Sequence, residues 1–425
     1  MLRFAIECHQ NEHLAPGVGQ VDAVVTVSAP SLAAEAARTG SSVPRAEVII
    51  VDVSGSMKGR RIREATRAAA AAVDCLEDGA RFALVGGNHE AWRLYPDTAQ
   101  RALAVASPGT RADARSALDG MKARGGTAMG SWLDVTNRLF EDESGINHAI
   151  LLTDGLDESE SPADRTAAIE RARGRFQCDC RGVGTDWSVA ELREVSTALL
   201  GSVDLVARPE DLAADFTEVM NRSMGRAVAS VTLRLWTPVG ASVEFVRQVI
   251  PEVLDLTDHR VEVDGQVADY PTGAWAEEAR AYHIRLRVDP GSVADEMLAG
   301  RVTLIVEDEP GAQALIRAVW TADTVLTTRI DPEVAHYTGQ AELAELIQEG
   351  LRAIDVGDLR RATMTLGRAV QVASESGNDA VSATLARVVD VEDAATGRIR
   401  LKKRLEPAEL MGLDVASTKT VRVQS

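Results

Sequence analysis

The 425 residues include 46 lysines and arginines against 64 aspartates and glutamates, a net charge of −18. A surface that acidic repels phosphate backbones, which sets nucleic acid aside as a partner and suits divalent cations and basic partners better. The length is that of two or three domains with sizeable cores.

The opening stretch MLRFAIECHQNEHL has no signal-peptide core, and no later apolar run approaches the roughly 18 residues of a membrane span. The expectation is a cytoplasmic chain with no membrane partner. Two strand-like runs, LRFAIEC and the alternating VDAVVTVSA, come first, then the linker PSLAAEAARTGSSVP. Residues 1–42 are read as N-terminal strands of a β-sandwich plus this linker.

From 43 to 225 apolar strand runs (VIIVDV, RFALVGG, AILLTDG, CDCRGVG, VDLVA) alternate with helical stretches such as RRIREATRAAAAAVDCLED. That rhythm predicts crossover units and a doubly wound, mainly parallel α/β sheet covered on both faces. Over 226–331 it changes to strands and turns only, which predicts an antiparallel β-sandwich. Together with the first two strands this suggests an α/β domain inserted in the sandwich. Residues 332–395 read as a helical hairpin, with Leu343, Leu346, Ile347, Leu351 and Ile354 at helical spacing. Residues 396–425 read as a basic, solvated tail containing Arg398, Arg400, Lys402, Lys403 and Arg404.

Cys8, Cys75, Cys178 and Cys180 are too few and too scattered for a disulfide framework. Zinc held by Cys178 and Cys180 with His9 and Cys8 lacks any CxxC or HxxxH spacing, and buried strand cysteines are the simpler reading.

The chemistry concentrates at EVIIVDVSGSMKGRR. In a parallel α/β sheet ligands bind beyond the carboxyl ends of the strands, and Asp52 ends a strand there. Ser54 and Ser56 follow at alternate positions, so all three can turn oxygens toward one point. Hard oxygen donors select Mg²⁺, Mn²⁺ or Ca²⁺ over zinc or copper. Three side chains do not complete an octahedral shell, so further oxygens are expected at other strand ends. Thr127 follows paired glycines in ARGGTAMGS, and Asp154 ends a buried strand in HAILLTDGLDES. Asp157 and Glu158, just beyond, are read as exposed loop acids. Helix caps and turns explain any one of these segments, but not three in this order at one sheet edge.

Strand–DxSxS, loop Thr and strand–TDG in this order resemble the metal-ion-dependent adhesion site of the von Willebrand factor A domain family, over roughly Val43 to Arg226. The resemblance implies that Ser54, Ser56 and Thr127 bind the ion through hydroxyls. Asp52 and Asp154 would hold it mainly through water, and the open position would take a Glu or Asp from a protein partner. An acid from FEDESG or from the C-terminal helices is the intramolecular competitor for that position.

Enzyme signatures fail in turn. The haloacid-type DxDxT has serine where its second acid belongs, GxxxxGK[ST] is absent, and D-V-S-G-S is no GxSxG elbow. His89 and His148 sit in no catalytic arrangement and are read as surface or core packing. A metal-dependent interaction scaffold, not an enzyme, is the expectation, with a metal-assisted phosphoesterase-like hydrolase as the alternative. Abundant Ala, Arg, Val and Gly with scarce Lys match GC-rich bacteria, notably actinobacteria. The layout resembles bacterial cytoplasmic A-domain proteins of stress response, which implies signalling partners such as kinases, phosphatases or phosphopeptide-binding modules.

Overall fold

A computed structural model of the protein describes residues 4–29, 43–97 and 103–420. Most of the linker, and residues 421–425 of the expected tail, lie outside them. The described chain divides into two units. One comprises residues up to 29, 231–272 and 277–420, and the other 43–230 and 273–276.

The first unit opens with β1 (Ala5–Gln10), β2 (His13–Leu14) and β3 (Gln20–Ser28). The second then supplies β4 (Arg45–Asp52), α1 (Arg60–Asp74), β5 (Arg81–Gly87), β6 (Ala91–Tyr95), β7 (Ala104–Val105) and α2 (Pro108–Leu118). It continues through α3 (Met129–Leu139), β8 (Ile146–Thr153), α4 (Pro162–Ala172), β9 (Gln177–Val183), α5 (Val189–Ala198), β10 (Val203–Val206) and α6 (Leu212–Met224).

Its sheet has the order β10-β9-β8-β4-β5-β6, with β7 also on β5. Strands β10, β9, β8, β4 and β5 run parallel, and β6 closes the edge antiparallel to β5. Strand β4 is central and is buried from Ala46 through Asp52, which is why it reads as one continuous apolar run. Ile49 and Val51 pack with α1, α2 and α6, whose Ala65, Ala68, Ala69 and Ala72 let α1 approach closely. Alternation turns Val48 and Ile50 to the other face, where both are again fully buried. This doubly wound layering leaves the strand ends as the place where side chains can meet a ligand.

The first unit resumes with β11 (Val231–Trp236), β12 (Ala241–Ile250), β13 (Leu254–Asp255), β14 (Val261–Asp264), β15 (Val267–Pro271), β16 (Ala279–Val288), β17 (Glu296–Val306) and β18 (Glu309–Trp320). One sheet is β1-β3-β16-β12-β13 and the other β14-β15-β11-β17-β18-β2. Strand β3 pairs with β16 over nine residue pairs, from Ala279↔Ser28 to Arg287↔Gln20, so the α/β unit is inserted between strands of this sandwich. The short α7 (Thr324–Thr327) then leads to α8 (Pro332–Asp355), α9 (Leu359–Glu375) and α10 (Asp379–Val388). Leu343, Ile347 and Leu351 of α8 are buried, and Leu346 and Ile354 pack against the same cluster.

The basic tail is not a tail. β19 (Val389–Asp393) and β20 (Arg398–Leu401) form a hairpin, and α11 (Pro407–Ser417) follows it. Ile399, Leu413 and the α8–α10 residues share one core. Arg398 and Arg400 flank Ile399 on the solvent side of a strand, so the run of positive charge concealed an alternating pattern. The helical segment accordingly ends at Val388, not at 395.

Candidate metal centre

Backbone hydrogen bonds fix the loops at the carboxyl edge of the α/β sheet. Val53 donates its N–H to the Gly87 carbonyl (2.7 Å), Arg124 to that of Val53 (2.7 Å), and Gly55 to that of Gly125 (2.8 Å). The loop after β4 and the loop before α3 are therefore held edge to edge.

Asp52 is fully buried at the end of β4. Its Oδ1 accepts the Ser54 N–H (2.7 Å) and its Oδ2 the Thr153 hydroxyl (2.5 Å). Burial pushes its carboxyl up to about 6, against the pull of the Thr153 hydroxyl and the Ser54 N–H, with Asp154 adding to the rise. Ser54 Oγ lies 2.8 Å from Ser56 Oγ, and the Ser56 hydroxyl donates to Asp154 Oδ1 at 2.6 Å. Ser56 is exposed, whereas Ser54, Thr127 and Asp154 are buried.

Thr127 joins them through Gly155. A Cβ added at that glycine would lie 3.2 Å from Ser56 Oγ and 3.4 Å from Thr127 Oγ1, so both hydroxyls face the same bare backbone. The structure thus brings together all five side chains singled out from the sequence. Adjacent oxygens around an octahedral magnesium ion with ~2.1 Å bonds sit about 3 Å apart, and the Ser54–Ser56 separation of 2.8 Å fits that spacing. The donor set, all hydroxyl and carboxylate oxygen, fits a hard dication.

Three neighbours were not foreseen. Thr153 steadies Asp52, and only its position before TDG could have suggested that. Arg61, in the first turn of α1, donates from Nη1 to Asp154 Oδ2 (2.7 Å) and from Nη2 to Asp186 Oδ2 (2.8 Å). It lies over Gly184, whose φ of +71° and missing side chain leave room for the guanidinium. Asp186 is thereby linked to Asp154 through this guanidinium. FEDESG precedes β8, whereas Asp154 follows that strand at its other end, and Glu143 of that stretch pairs with Arg81.

Asp157 is also corrected. Its carboxylate is buried, accepts from the Met129 N–H at the start of α3 (3.3 Å) and pairs with Arg165 (2.9 Å). Glu160 accepts from the Gly130 N–H (2.5 Å), and its carboxyl is pushed up to about 8, first by burial and then by Asp157. Two acids thus cap the helix that follows Thr127 and fix that residue's loop. Glu158 is exposed. His89 is exposed, and His148 is fully buried at the opposite edge of the sheet. Cys178 and Cys180 are buried, unbonded thiols whose sulfurs lie 4.0 Å apart.

Comparison with known proteins gives this geometry a family. Residues 46–204 match the von Willebrand factor type A domain, and residues 371–417 its C-terminal domain. A von Willebrand factor type A structure from Catenulispora acidiphila is 47% identical, with a TM-score of 0.93, covering 99% of this chain and 98% of that one. The chain belongs to the von Willebrand factor type A family. A Synechocystis protein is 25% identical over 294 residues, and the chain covers 66% of it. Human inter-alpha-trypsin inhibitor heavy chain H4 is 26% identical over 203 residues, only 21% of its own length. The match to the Catenulispora structure runs through both units, so the sandwich and helices of this type A protein are shared along with its α/β core.

Proposed function

We propose that this type A protein is a metal-dependent interaction module that captures an acidic side chain of a protein partner through one divalent cation. Mg²⁺ is the expected ion, with Mn²⁺ or Ca²⁺ as substitutes. The observation that carries the reading is the convergence of the Ser54, Ser56 and Thr127 hydroxyls with Asp52 and Asp154 at one strand edge. When bound, the ion supplies a concentrated positive charge that neutral hydroxyls leave largely uncompensated, and an incoming carboxylate is the group that neutralises it. On a chain of net charge −18, the cation is what makes an acidic ligand acceptable.

Of the two histidines weighed as bases for the hydrolase alternative, His148 is locked between two carboxylates at the far edge of the strands. No described helix is long and apolar enough to cross a membrane. The four free thiols accord with the cytoplasmic setting expected from the sequence. A role in bacterial signalling, stress response or complex assembly, beside kinases, phosphatases or phosphopeptide-binding proteins, follows from the family resemblance.

The test is affinity capture from extract of the native cell, in Mg²⁺ and in chelator. The partner is expected to be retained in Mg²⁺, released by EDTA, and lost in both conditions with Thr127→Ala. Retention that survives EDTA overturns the proposal.

A further inference from the structure

The rim of the site is not uniformly acidic, although the protein is. Of the five lysines in the sequence, Lys58 and Lys122 stand on the two loops that carry Ser54, Ser56 and Thr127, and Arg124 stands beside Lys122. All three are exposed, and none has an ion-pair partner among the described residues. The loops touch, because Arg124 donates its N–H to Val53 and Gly55 donates to Gly125, while the Lys58 N–H reaches back to the Gly55 carbonyl of its own loop at 3.4 Å. The two loops therefore form one lip, over the β4–β5 side of the sheet, and the three cations stand on it.

Acids stand on the neighbouring loops. Glu158 follows β8 and Asp186 follows β9, both exposed. Strand order puts the Asp186 loop away from the cationic lip, beyond β8. The Glu158 loop reaches the loop of Lys122 and Arg124, because Ser159 donates its N–H to the Thr127 carbonyl (2.9 Å). Asp186 is held by Arg61, so that guanidinium is already engaged. The mouth thus combines a free cationic lip with flanking acids.

We infer that the cationic lip of Lys58, Lys122 and Arg124 selects the partner, and that it takes a protein segment with several acidic residues in succession. This rests on the proposed capture of a carboxylate by the ion: one acid of the segment meets the site and its neighbours lie along the lip. A lone acid flanked by neutral residues gains only the first contact. A basic segment is repelled by the lip and has nothing to offer the ion. Unpaired cations beside a site are costly to hold together in a free protein, and opposite charge from a ligand relieves that repulsion. Contacts of this exposed kind are screened by salt, whereas a contact with the ion itself is screened less.

The experiment uses the full chain and two fluorescein-labelled decapeptides, one rich in glutamate and one with a single glutamate among glycine and serine, followed by anisotropy with Mn²⁺ or EDTA. The glutamate-rich peptide is expected to bind at least about tenfold more tightly, with an advantage that shrinks as salt rises. Lys58→Gln/Lys122→Gln/Arg124→Gln is expected to remove that advantage while Mn²⁺ uptake, read by electron paramagnetic resonance, stays the same or tightens. Glu158→Gln, on the loop beside the lip, is expected to leave it intact or increase it. The inference is overturned if the two peptides bind alike, if neither binds, or if the triple variant keeps the preference. A wild-type protein that takes up no Mn²⁺, or binds both peptides equally well in EDTA, instead defeats the reading of the site on which the inference stands.

Discussion

Arg61 sets a fixed positive charge directly against Asp154, an acid that a bound dication would also need. Two cations then share one buried carboxylate, and their repulsion lowers the affinity for the ion. Asp186 draws the same guanidinium outward, and the hydrogen bond to that exposed acid is the largest influence raising the Arg61 pKa above its ordinary value. Arg61→Gln keeps a hydrogen-bond donor but removes the charge. At the separation these contacts imply, it is expected to tighten Mn²⁺ binding about tenfold. Electron paramagnetic resonance of free Mn²⁺ in a titration reads this directly, and unchanged or weaker binding contradicts it. At this scale the sequence showed the five oxygen donors because each follows a strand or glycine turn in a fixed order. Arg61 was invisible because it lies in a helical run of arginines, and nothing local tells which of them turns toward the site.

The strands are pinned at both edges by different chemistry. At the edge away from the site, His148 of β8 sits between Glu47 of β4 (Nδ1 to Oε2, 2.6 Å) and Asp179 of β9 (Nε2 to Oδ2, 3.0 Å). Ser223 donates to Glu47 (2.6 Å), Ser202 donates to Asp179 (2.6 Å), and Arg226 stands 3.9 Å from Asp179. Burial alone would push the imidazole down, but Glu47 and Asp179 outweigh it and Arg226, and the histidine is raised above 6.5. Asp179 is held well below the usual carboxylate range, since the His148 hydrogen bond and the neighbouring cations outweigh its burial.

A raised histidine stabilises the fold fully below its unfolded value near 6.5, and that contribution is lost as pH rises through the folded value. The lowered Asp179 contributes above its ordinary 3.8 and loses its effect only as pH falls. His148→Gln, which strands two buried carboxylates, is therefore expected to cost about 3–5 kcal/mol near pH 6 and distinctly less at pH 9. Denaturant unfolding at the two pH values checks this, and a pH-independent loss contradicts it. Mn²⁺ affinity should not move, because the site lies at the other end of the strands.

At the element scale the parallel strands were legible as long apolar runs, and the sandwich that receives the α/β unit as short alternating ones. The antiparallel edge strand β6 was not, since AWRLY is short, mixed and half-buried. Asp157 was misread because its buried partner Arg165 comes from a helix of its own, and a pairing of that kind has no sequence signature. The β19–β20 hairpin and α11 were hidden by arginines and lysines that mark only the exposed faces of those elements.

The whole molecule combines a charge of −18 with a cluster of hydroxyls that asks for a dication. The family match at 371–417 covers the end of α9, α10, the hairpin and α11, so the helical region is as much a part of the type A protein as the sheet that holds the site. An acidic body gathers cations loosely over its surface, and that diffuse binding must be separated from uptake at one place. Calorimetric titration of Mg²⁺ or Mn²⁺ into the wild-type chain and into Thr127→Ala, in moderate salt, makes the separation. The wild type is predicted to bind one ion per chain, and Thr127→Ala to lose that binding while melting at an unchanged temperature. No saturable uptake by the wild type, or equal uptake by both proteins, would contradict the account.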